Sequence, residues 1–526
     1  MIARASSAHA AEAYRRGLWV HTTLADALRT AASETPHRTV LVDNNIRLDC
    51  ALLYNQGSAL AGALLARIPT GSTVSFMLPN WHESAVIYLA ATLAGMVVNP
   101  ILPSLRDHDL RFILEDADTA MVFIPHQYGG HDYAAMLDRV TAAMGRPPEV
   151  VVLRGDVQAH TPYADLLGQP PATLPALDPD AVRMILYTSG TTSRPKGVLH
   201  THNSIHALIC QLRDHWAIDP GDTFLVPSPI AHIGGSIYAF ECPLLLGTTA
   251  VLMDRWDPAE AVALMDSERC THMAGATPFL QQLLSAAERA ETRLPSLKVF
   301  ICGGASVSPS LIRRAAGYFD RAVVTRVYGC TEVPVATVGA PLPDEADRAA
   351  DTDGRAGIAE IKLVAHDSAA DGDGEICVRG PQMLLGYRHA EDDSFDAAGF
   401  FHTGDLGRWV DEKYLVVTGR AKDVIIRSGE NISAKEVEDL LADHPGIAEI
   451  AVVGLPDERT GERACAVIVP AGAAHPDVAS LLALLVSKGV AKFKAPEQVV
   501  IADALPKNDA GKILKHQIRA SLMKDG

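Results

Sequence analysis

Val182-Arg-Met-Ile-Leu-Tyr187 runs straight into Thr188-Ser-Gly-Thr-Thr-Ser-Arg-Pro-Lys-Gly197. The first part reads as a mostly apolar strand and the second as a loop of hydroxyl residues and glycine. In such a loop, backbone N–H groups and hydroxyls can surround phosphate oxygens, and Lys196 supplies a point charge. It is not a Walker-type P-loop. Five residues separate Gly190 from Lys196, and Gly197 stands where a Ser or Thr would hold magnesium. Taken alone, the segment could also be a polar surface turn. Residues 198–212, which follow, are periodically apolar.

Working outward, helix and strand signals alternate through the first 320 residues. Helices are predicted over 24–32, 51–65, 83–94, 258–267 and 309–316. Strands are predicted over 40–42, 73–77, 95–98, 248–253 and 298–302. Apolar strands alternating with helices imply parallel sheets covered on both faces. From about residue 344, Gly and Asp become dense and short β-type runs dominate, at 358–364, 374–379 and 413–417. These predict a strand-rich subdomain. Gly419-Arg420-Ala421-Lys422-Asp423 reads as a turn or hinge. The hundred residues beyond it carry their own strands (424–426, 450–453, 464–469) and helices (434–441, 479–487), enough for a small separate domain. The fold class is therefore α/β. A large domain, 1–420, has parallel-rich sheets flanked by helices and a β-rich subdomain. A small, mobile α+β domain, 421–526, follows.

Bulk properties narrow the classes. The chain has 526 residues, a net charge of −17 and 48% hydrophobic residues. That balance excludes wholesale disorder and argues against a general nucleic-acid binder. Between residues 488 and 524, however, eight Lys or Arg face only three Asp or Glu. This segment is either a solvated basic surface or one that meets a polyphosphate. The eight cysteines show no CxxC or zinc-type spacing and read as buried thiols of a reducing compartment. The uncharged stretch after Ser84 is broken by Pro100 and Pro103 and is too short to span a bilayer. The expected location is cytoplasmic.

Five segments resemble, in order, the motifs of the adenylate-forming superfamily: acyl- and aryl-CoA ligases, peptide-synthetase adenylation domains and luciferases. Tyr187 to Gly197 resembles its phosphate loop. Val327-Tyr-Gly-Cys-Thr-Glu332 is similar to its adenine and magnesium motif, and Phe401-His-Thr-Gly-Asp-Leu406 to its ribose motif. Gly419 to Ile432 resembles its hinge and thiolation motif, and Pro506-Lys-Asn-Asp-Ala-Gly-Lys-Ile513 its C-terminal lysine motif. The resemblance extends from about residue 18 to 519. It implies an enzyme, an AMP-forming acid–thiol ligase, with ATP, Mg2+ and coenzyme A as cofactor and co-substrates. A carboxylate attacks the α-phosphate of ATP to give acyl-AMP and pyrophosphate, and a thiol then takes the acyl group.

The roles implied are specific. Ser189, Gly190, Thr191, Thr192 and Lys196 would hold the β- and γ-phosphates, with Thr188 beside them. Tyr328 would stack on adenine, next to Gly329 and opposite the turn Gly303, Gly304, Ala305 and Ser306. Thr331 would touch the α-phosphate and Glu332 would hold Mg2+. Asp405 and Arg420 would bind the ribose. Lys512 would bridge the attacking carboxylate and the α-phosphate, and Lys422 would be the hinge. Arg427, Ser428, Gly429 and Glu430 would line the pantetheine path, with Arg427 on a phosphate or on a surface carboxylate. Ser193, Ser428, Asn508 and Ala510 depart from the usual pattern without removing an indispensable group.

The acyl pocket would be lined by His232, Ile233, Gly234, Gly235, Tyr238, Gly303 and Val327. His232 would be a gate or a structural histidine. The glycines at 234, 235, 303 and 304 suggest room for a bulky or long acid. Ala13-Tyr-Arg-Arg-Gly-Leu-Trp19 and Leu78-Pro-Asn-Trp81 resemble the cyclohexanecarboxylate and medium-chain acyl-CoA ligase branch, which favours a hydrophobic carboxylic acid, an alicyclic one included. The alternative acceptor is a carrier protein or separate acyltransferase. A non-catalytic binding protein on the same fold is the third reading, and intact Lys196, Glu332, Asp405 and Lys512 weigh against it. Partners are thus the acid and CoA or a carrier, with a homo-oligomer left open and neither nucleic acid nor a membrane span expected.

Overall fold

The computed structural model describes residues 7–168, 173–188, 195–304, 307–367, 369, 372–389, 394–428, 430–472, 475–508 and 511–523. Two parallel-rich sheets organise the large part of the chain. One has seven strands in the order Val323–Arg326, Val299–Cys302, His272–Gly275, Thr223–Val226, Thr249–Leu252, Thr39–Asp43 and Ile46–Asp49. It is parallel except for the edge hairpin that ends it. The other runs Gly386–Tyr387, Lys196–Thr201, Val182–Thr188, Val97–Pro100, Thr73–Phe76, Thr119–Pro125, Glu149–Leu153 and Thr161–Pro162. Its first three strands are antiparallel and the rest parallel.

The helix His82–Leu93 is buried at every position from Ser84 to Leu93. A helix apolar all round needs cover on every side, and one continuous core draws residues from both sheets, among them Phe76, Val98, Phe224 and Val226, onto it. No helix among the described residues is long and apolar enough to cross a membrane. The uncharged stretch after Ser84 is this helix followed by the strand Val97–Pro100. All eight cysteines are free thiols; seven are buried and Cys330 is half-buried.

The periodically apolar stretch 198–212 holds two elements. Lys196–Thr201 is a strand, paired antiparallel with Val182–Thr188, and the helix begins at His202. Thr201 marks the change: its Oγ1 accepts the Ser204 N–H at 3.0 Å while Ser204 Oγ receives the Thr201 N–H at 3.0 Å, a reciprocal cap that starts a helix. The segment expected to hold phosphates thus connects two antiparallel strands rather than a strand and a helix.

The strand-rich stretch forms a four-stranded antiparallel sheet of Glu360–Val364, Gly374–Arg379, Phe401–Val410 and Tyr414–Arg420. The last strand ends at Arg420, and a 3-10 turn, Ala421–Asp423, leads into Ile425–Arg427. That strand belongs to a separate five-stranded sheet with Glu430–Ile432, Gly461–Pro470, Ile447–Asp457 and Gln498–Ile501. The sheet has its own core with the helices Ala434–Leu441 and Val478–Ser487, built on Val437, Leu441, Ile468 and Leu481.

Deep in the large part, Arg183 and Glu241 form a buried ion pair, their side chains 3% and 2% exposed. The Tyr88 hydroxyl also donates to Glu241 at 2.5 Å, and the Arg183 guanidinium lies over the Tyr88 ring. Removing one member leaves an uncompensated buried charge, a loss of about 3–5 kcal/mol. Glu241→Ala should therefore lower the denaturation midpoint strongly, whereas the double variant Arg183→Met/Glu241→Leu should recover most of that loss. Equal destabilisation of both, measured by urea unfolding, would show that packing rather than charge pairing sets the cost.

Candidate active site

The C-terminal ends of parallel strands are where α/β sheets place ligands, because the chain leaves the sheet there in adjustable loops. Two neighbouring strands deliver expected segments to that edge. Val299–Cys302 leads into Gly303 and Gly304, and Val323–Arg326 leads into Val327 to Glu332. The Val327 N–H donates to the Cys302 carbonyl at 3.0 Å, tying the two loops together. Ala305 and Ser306 lie outside the described residues.

Tyr328 is held from both ends. Its N–H donates to Thr337 Oγ1 at 2.7 Å and its hydroxyl to Asp405 Oδ2 at 2.9 Å. Arg420 Nε donates to the other oxygen, Asp405 Oδ1, at 2.6 Å. Asp405 and Arg420 stand opposite each other in the antiparallel pair of strands that carries them, so the register itself makes this contact. Burial and the Asp405 charge push the Tyr328 phenol well above its ordinary range, so it stays a proton donor. Burial opposes the Arg420 charge but Asp405 outweighs it, and the guanidinium is held above its usual range. Next to Tyr328, a Cβ on Gly329 would lie 2.5 Å from the Val335 nitrogen. The Thr331 carbonyl accepts the His200 Nε2–H at 2.8 Å. Burial lowers the His200 pKa to about 4, which keeps that imidazole neutral at pH 7.

The hairpin brings Thr188 and Lys196 opposite each other; Ser189, Gly190, Thr191, Thr192 and Ser193 lie outside the described residues. Its second strand pairs with Gly386–Tyr387. The Lys196 ammonium sits 4.8 Å from the centre of the Tyr387 ring, and the Tyr387 hydroxyl donates to Glu332 Oε1 at 2.8 Å. One aromatic side chain therefore touches both the hairpin lysine and the acid expected to hold magnesium.

Lys512 arrives from the small sheet's side. Asn508 shapes its turn: Asn508 Oδ1 accepts the Lys512 N–H at 2.8 Å, and the Asn508 carbonyl accepts the Gly511 N–H at 2.8 Å. Asn508 thus closes this turn with its own side chain and carbonyl. A Cβ on Gly511 would lie 3.4 Å from Pro278, at the start of the helix Thr277–Arg289, so the turn is docked on the large part. Lys512 remains open to water yet is walled by protein. Burial first, then the Arg420 charge, holds its ammonium below the ordinary lysine range, with Asp405 and Asp423 opposing. Lys512, Arg420 and Asp405 therefore share one electrostatic environment.

The lining expected for an acyl group is partly revised. A Cβ on Gly235 would sit 2.1 Å from the Pro229 carbonyl oxygen, and one on Gly303 would sit 2.8 Å from Val327 Cγ2. These two glycines permit close packing and leave no extra room. Gly234 and Gly304 do face open space, Gly304 with φ +80°. Tyr238 is buried in the core, stacked on Phe224 with ring centres 5.1 Å apart. His232 precedes the short helix Ile233–Ser236, and Ile233 and Val327 are half-buried against the main core.

Lys422, expected to be the hinge, is exposed in its 3-10 turn. Ser433 Oγ donates to the Thr418 carbonyl across the junction. Arg427 takes the carboxylate alternative, with Nε and Nη2 on Glu497 at 2.9 and 2.8 Å. Ser428 adopts φ +51°, the left-handed conformation that glycine enters most easily. Glu430 is exposed, and Gly429 lies outside the described residues.

Two contributors were not singled out from sequence. Tyr387 gave no signal beyond a short Gly-Tyr pair. Asn80 lay within a quoted run, but its role needed the fold. Buried, it donates to the Val226 and Ser228 carbonyls at 3.0 and 2.9 Å and accepts the Ile230 N–H at 3.0 Å. It thereby fixes the segment leading to His232. A cavity of about 650 Å3 at the far end of the strand Val182–Thr188 is lined by Arg38, Arg183 and Glu241 and shares none of the residues assembled above.

Known proteins match this arrangement. The family model described as AMP-binding enzyme matches residues 28–388, and that of the AMP-binding enzyme C-terminal domain matches 436–512. The medium-chain fatty-acid–CoA ligase of Escherichia coli (strain K12) is 35% identical over 97% of this chain and 93% of its own length. The 3-[(3aS,4S,7aS)-7a-methyl-1,5-dioxo-octahydro-1H-inden-4-yl]propanoyl:CoA ligase of Rhodococcus jostii (strain RHA1) is 32% identical over 95% of this chain and 98% of its own. The crystal structure of ATP-bound MatB from Rhodopseudomonas palustris superposes with a TM-score of 0.84 at 27% identity, covering 95% of this chain and 99% of that one.

Tyr387→Phe should keep the ring under Lys196 and lose the bond to Glu332. Hydrogen bonds to charged groups contribute about 1.5–3 kcal/mol, roughly 10–10² in an equilibrium constant. The Mg2+ concentration that half-saturates ATP-dependent turnover should rise accordingly. An unchanged Mg2+ dependence would separate Tyr387 from the role of Glu332.

Proposed function

The chain belongs to the AMP-binding enzyme family, and from that premise we propose how its residues activate a hydrophobic carboxylic acid. It is an AMP-forming acid–thiol ligase: ATP converts the acid to acyl-AMP, and CoA takes the acyl group as a thioester. The observation that carries the residue assignment is the meeting of Lys512, Arg420, Asp405 and Tyr328 at one edge of the large part.

In the first half-reaction an acid oxygen bonds to the α-phosphorus, the bond to the bridging oxygen breaks, and pyrophosphate leaves. Lys512 neutralises the charge shared by the incoming carboxylate and the α-phosphate. Lys196 holds the departing phosphates, with Thr188 and the loop 189–192 beside it. Asp405 and Arg420 orient the ribose, and Tyr328 faces the adenine. Glu332 accepts the Tyr387 hydroxyl on Oε1, and its carboxylate is a donor that suits Mg2+; when bound, the ion would neutralise phosphate charge. In the second half-reaction the thiol loses its proton, its sulfur bonds to the acyl carbon, and AMP leaves. Residues 421–526 form the mobile domain, turning at Lys422 so that the segment 427–430 replaces Lys512 at the site.

The acid is of medium-chain or alicyclic type. The names of the E. coli and R. jostii relatives, one for a fatty acid and one for a bicyclic propanoate, support this. So do the apolar Ile233 and Val327 and the open space beside Gly234. A screen of pyrophosphate release over aliphatic, aromatic and polycyclic acids, with and without CoA, tests the reading. Preferred turnover of C6–C12 or alicyclic acids with CoA-dependent thioester formation is expected. Preference for small hydrophilic acids would overturn the specificity, and adenylation without thioester would move the acceptor to a carrier protein.

Lys512→Ala should slow acyl-AMP formation by roughly 10²–10³ and spare thioester formation from supplied acyl-AMP; equal losses would remove Lys512 from the first step. Its lowered pKa adds a pH test. The protonated form is the active one, so adenylation should decline as pH rises through a value below that of an ordinary lysine. In Lys512→Arg, whose cation persists, the residual activity should lack that alkaline limb. Gly234→Leu should fill open space. Methylene-scale changes discriminate by about 1–3 kcal/mol, so kcat/KM for bulky acids should fall at least tenfold relative to short ones.

A further inference from the structure

Away from the nucleotide contacts, the sheet that carries Asp405 gathers a second set of donors. Glu375 and Cys377 lie two residues apart on the strand Gly374–Arg379, so their side chains share a face. His402, on the neighbouring strand Phe401–Val410, stands directly opposite Cys377. A register shift between Glu375 and Cys377 brings the carboxylate back toward the imidazole. The result is Cys377 Sγ at 3.4 Å from His402 Nδ1 and Glu375 Oε2 at 2.8 Å from the same nitrogen. One oxygen, one nitrogen and one sulfur thus lie within 4.8 Å of one another.

We propose that Glu375, Cys377 and His402 form a binding site for a thiophilic divalent metal ion of the zinc class. Zinc bonds of about 2.0–2.3 Å at tetrahedral angles place sulfur and nitrogen ligands about 3.5 Å apart and nitrogen and oxygen about 3.4 Å apart. The first separation is nearly met, and the second requires the carboxylate to withdraw by about half an ångström as its hydrogen bond to His402 is replaced by the metal. Binding releases the Cys377 thiol proton to solvent, and His402 then carries its remaining proton on Nε2. The His402 side chain is 32% exposed, which leaves a path for the ion and a water in the fourth position. Lys362, the nearby cation, is neutralised by Asp396 at 2.6 Å. The comparable group Asp43, His82 and Glu83 differs, because Arg154 already holds Glu83 through two nitrogens at 2.7 and 2.6 Å. Glu375 Oε1 also accepts the Gly404 N–H at 3.1 Å, one residue before Asp405, so the ion would sit next to the nucleotide-binding turn.

The test uses the full-length protein stripped with a chelator. Zn2+ is titrated in competition with a chromophoric chelator, and Co2+ is added separately to read the thiolate-to-cobalt charge-transfer band. One Zn2+ per chain and a cobalt–thiolate band are expected. Outer-shell changes already cost roughly 10–100-fold in metal affinity, so Cys377→Ser should lose at least that and abolish the band. Glu375→Gln should weaken binding but keep the band, and Cys330→Ser should leave both intact. Each variant's fold is checked by circular dichroism. Absence of the band in the unmodified protein, or full Zn2+ affinity in folded Cys377→Ser, would overturn the proposal.

Discussion

The carboxylate of Asp405 is the constraint around which the rest is arranged. It is buried, and an unpaired charge there would be costly. Tyr328 and Arg420 each satisfy one of its oxygens. These two partners come from two places: Tyr328 from the loop after a parallel strand, and Arg420 from the end of the β-rich sheet, just before the 3-10 turn Ala421–Asp423. Neutralising one charge thus locks the relative position of the sheet edge and the point at which the small domain departs. Lys512 feels the same pair from the other side of the cleft.

The second organising feature is the sharing of partners between functional groups. Tyr387 touches Lys196 and Glu332. Asn80 joins the turn before the buried helix His82–Leu93 to the segment that leads to His232. Such residues do no chemistry themselves, but they set the distances over which charges act.

Much of the architecture was legible from local pattern. Apolar runs of four or five residues between helices gave the parallel strands, and the crowding of Gly and Asp after residue 344 gave the strand-rich part. The failures are instructive. Residues 198–212 are periodically apolar, yet the first four are held in a strand by antiparallel pairing with Val182–Thr188; pairing with the preceding strand overrode the local period. Gly235 and Gly303 read as absent volume, whereas each allows backbone and side chain to approach more closely than a Cβ permits. A glycine in a sequence does not say which of these it does. Arg427, equally able to meet a phosphate or a carboxylate, has Glu497 within reach only because strands 70 residues apart converge.

The sequence by itself determined the class of chemistry, because motif order and residue type depend only on neighbours along the chain. A hydroxyl-rich loop ending in Lys196, an acid at 332, an aspartate at 405 and a lysine after Gly511 are each readable locally. Only the tertiary structure decided how they combine: that the strands on either side of the loop pair antiparallel, that Tyr387 links lysine to acid, that Asp405 faces Arg420, and that Glu375, Cys377 and His402 lie together. These depend on strand register and domain docking, where a shift of one residue reverses which side chains meet.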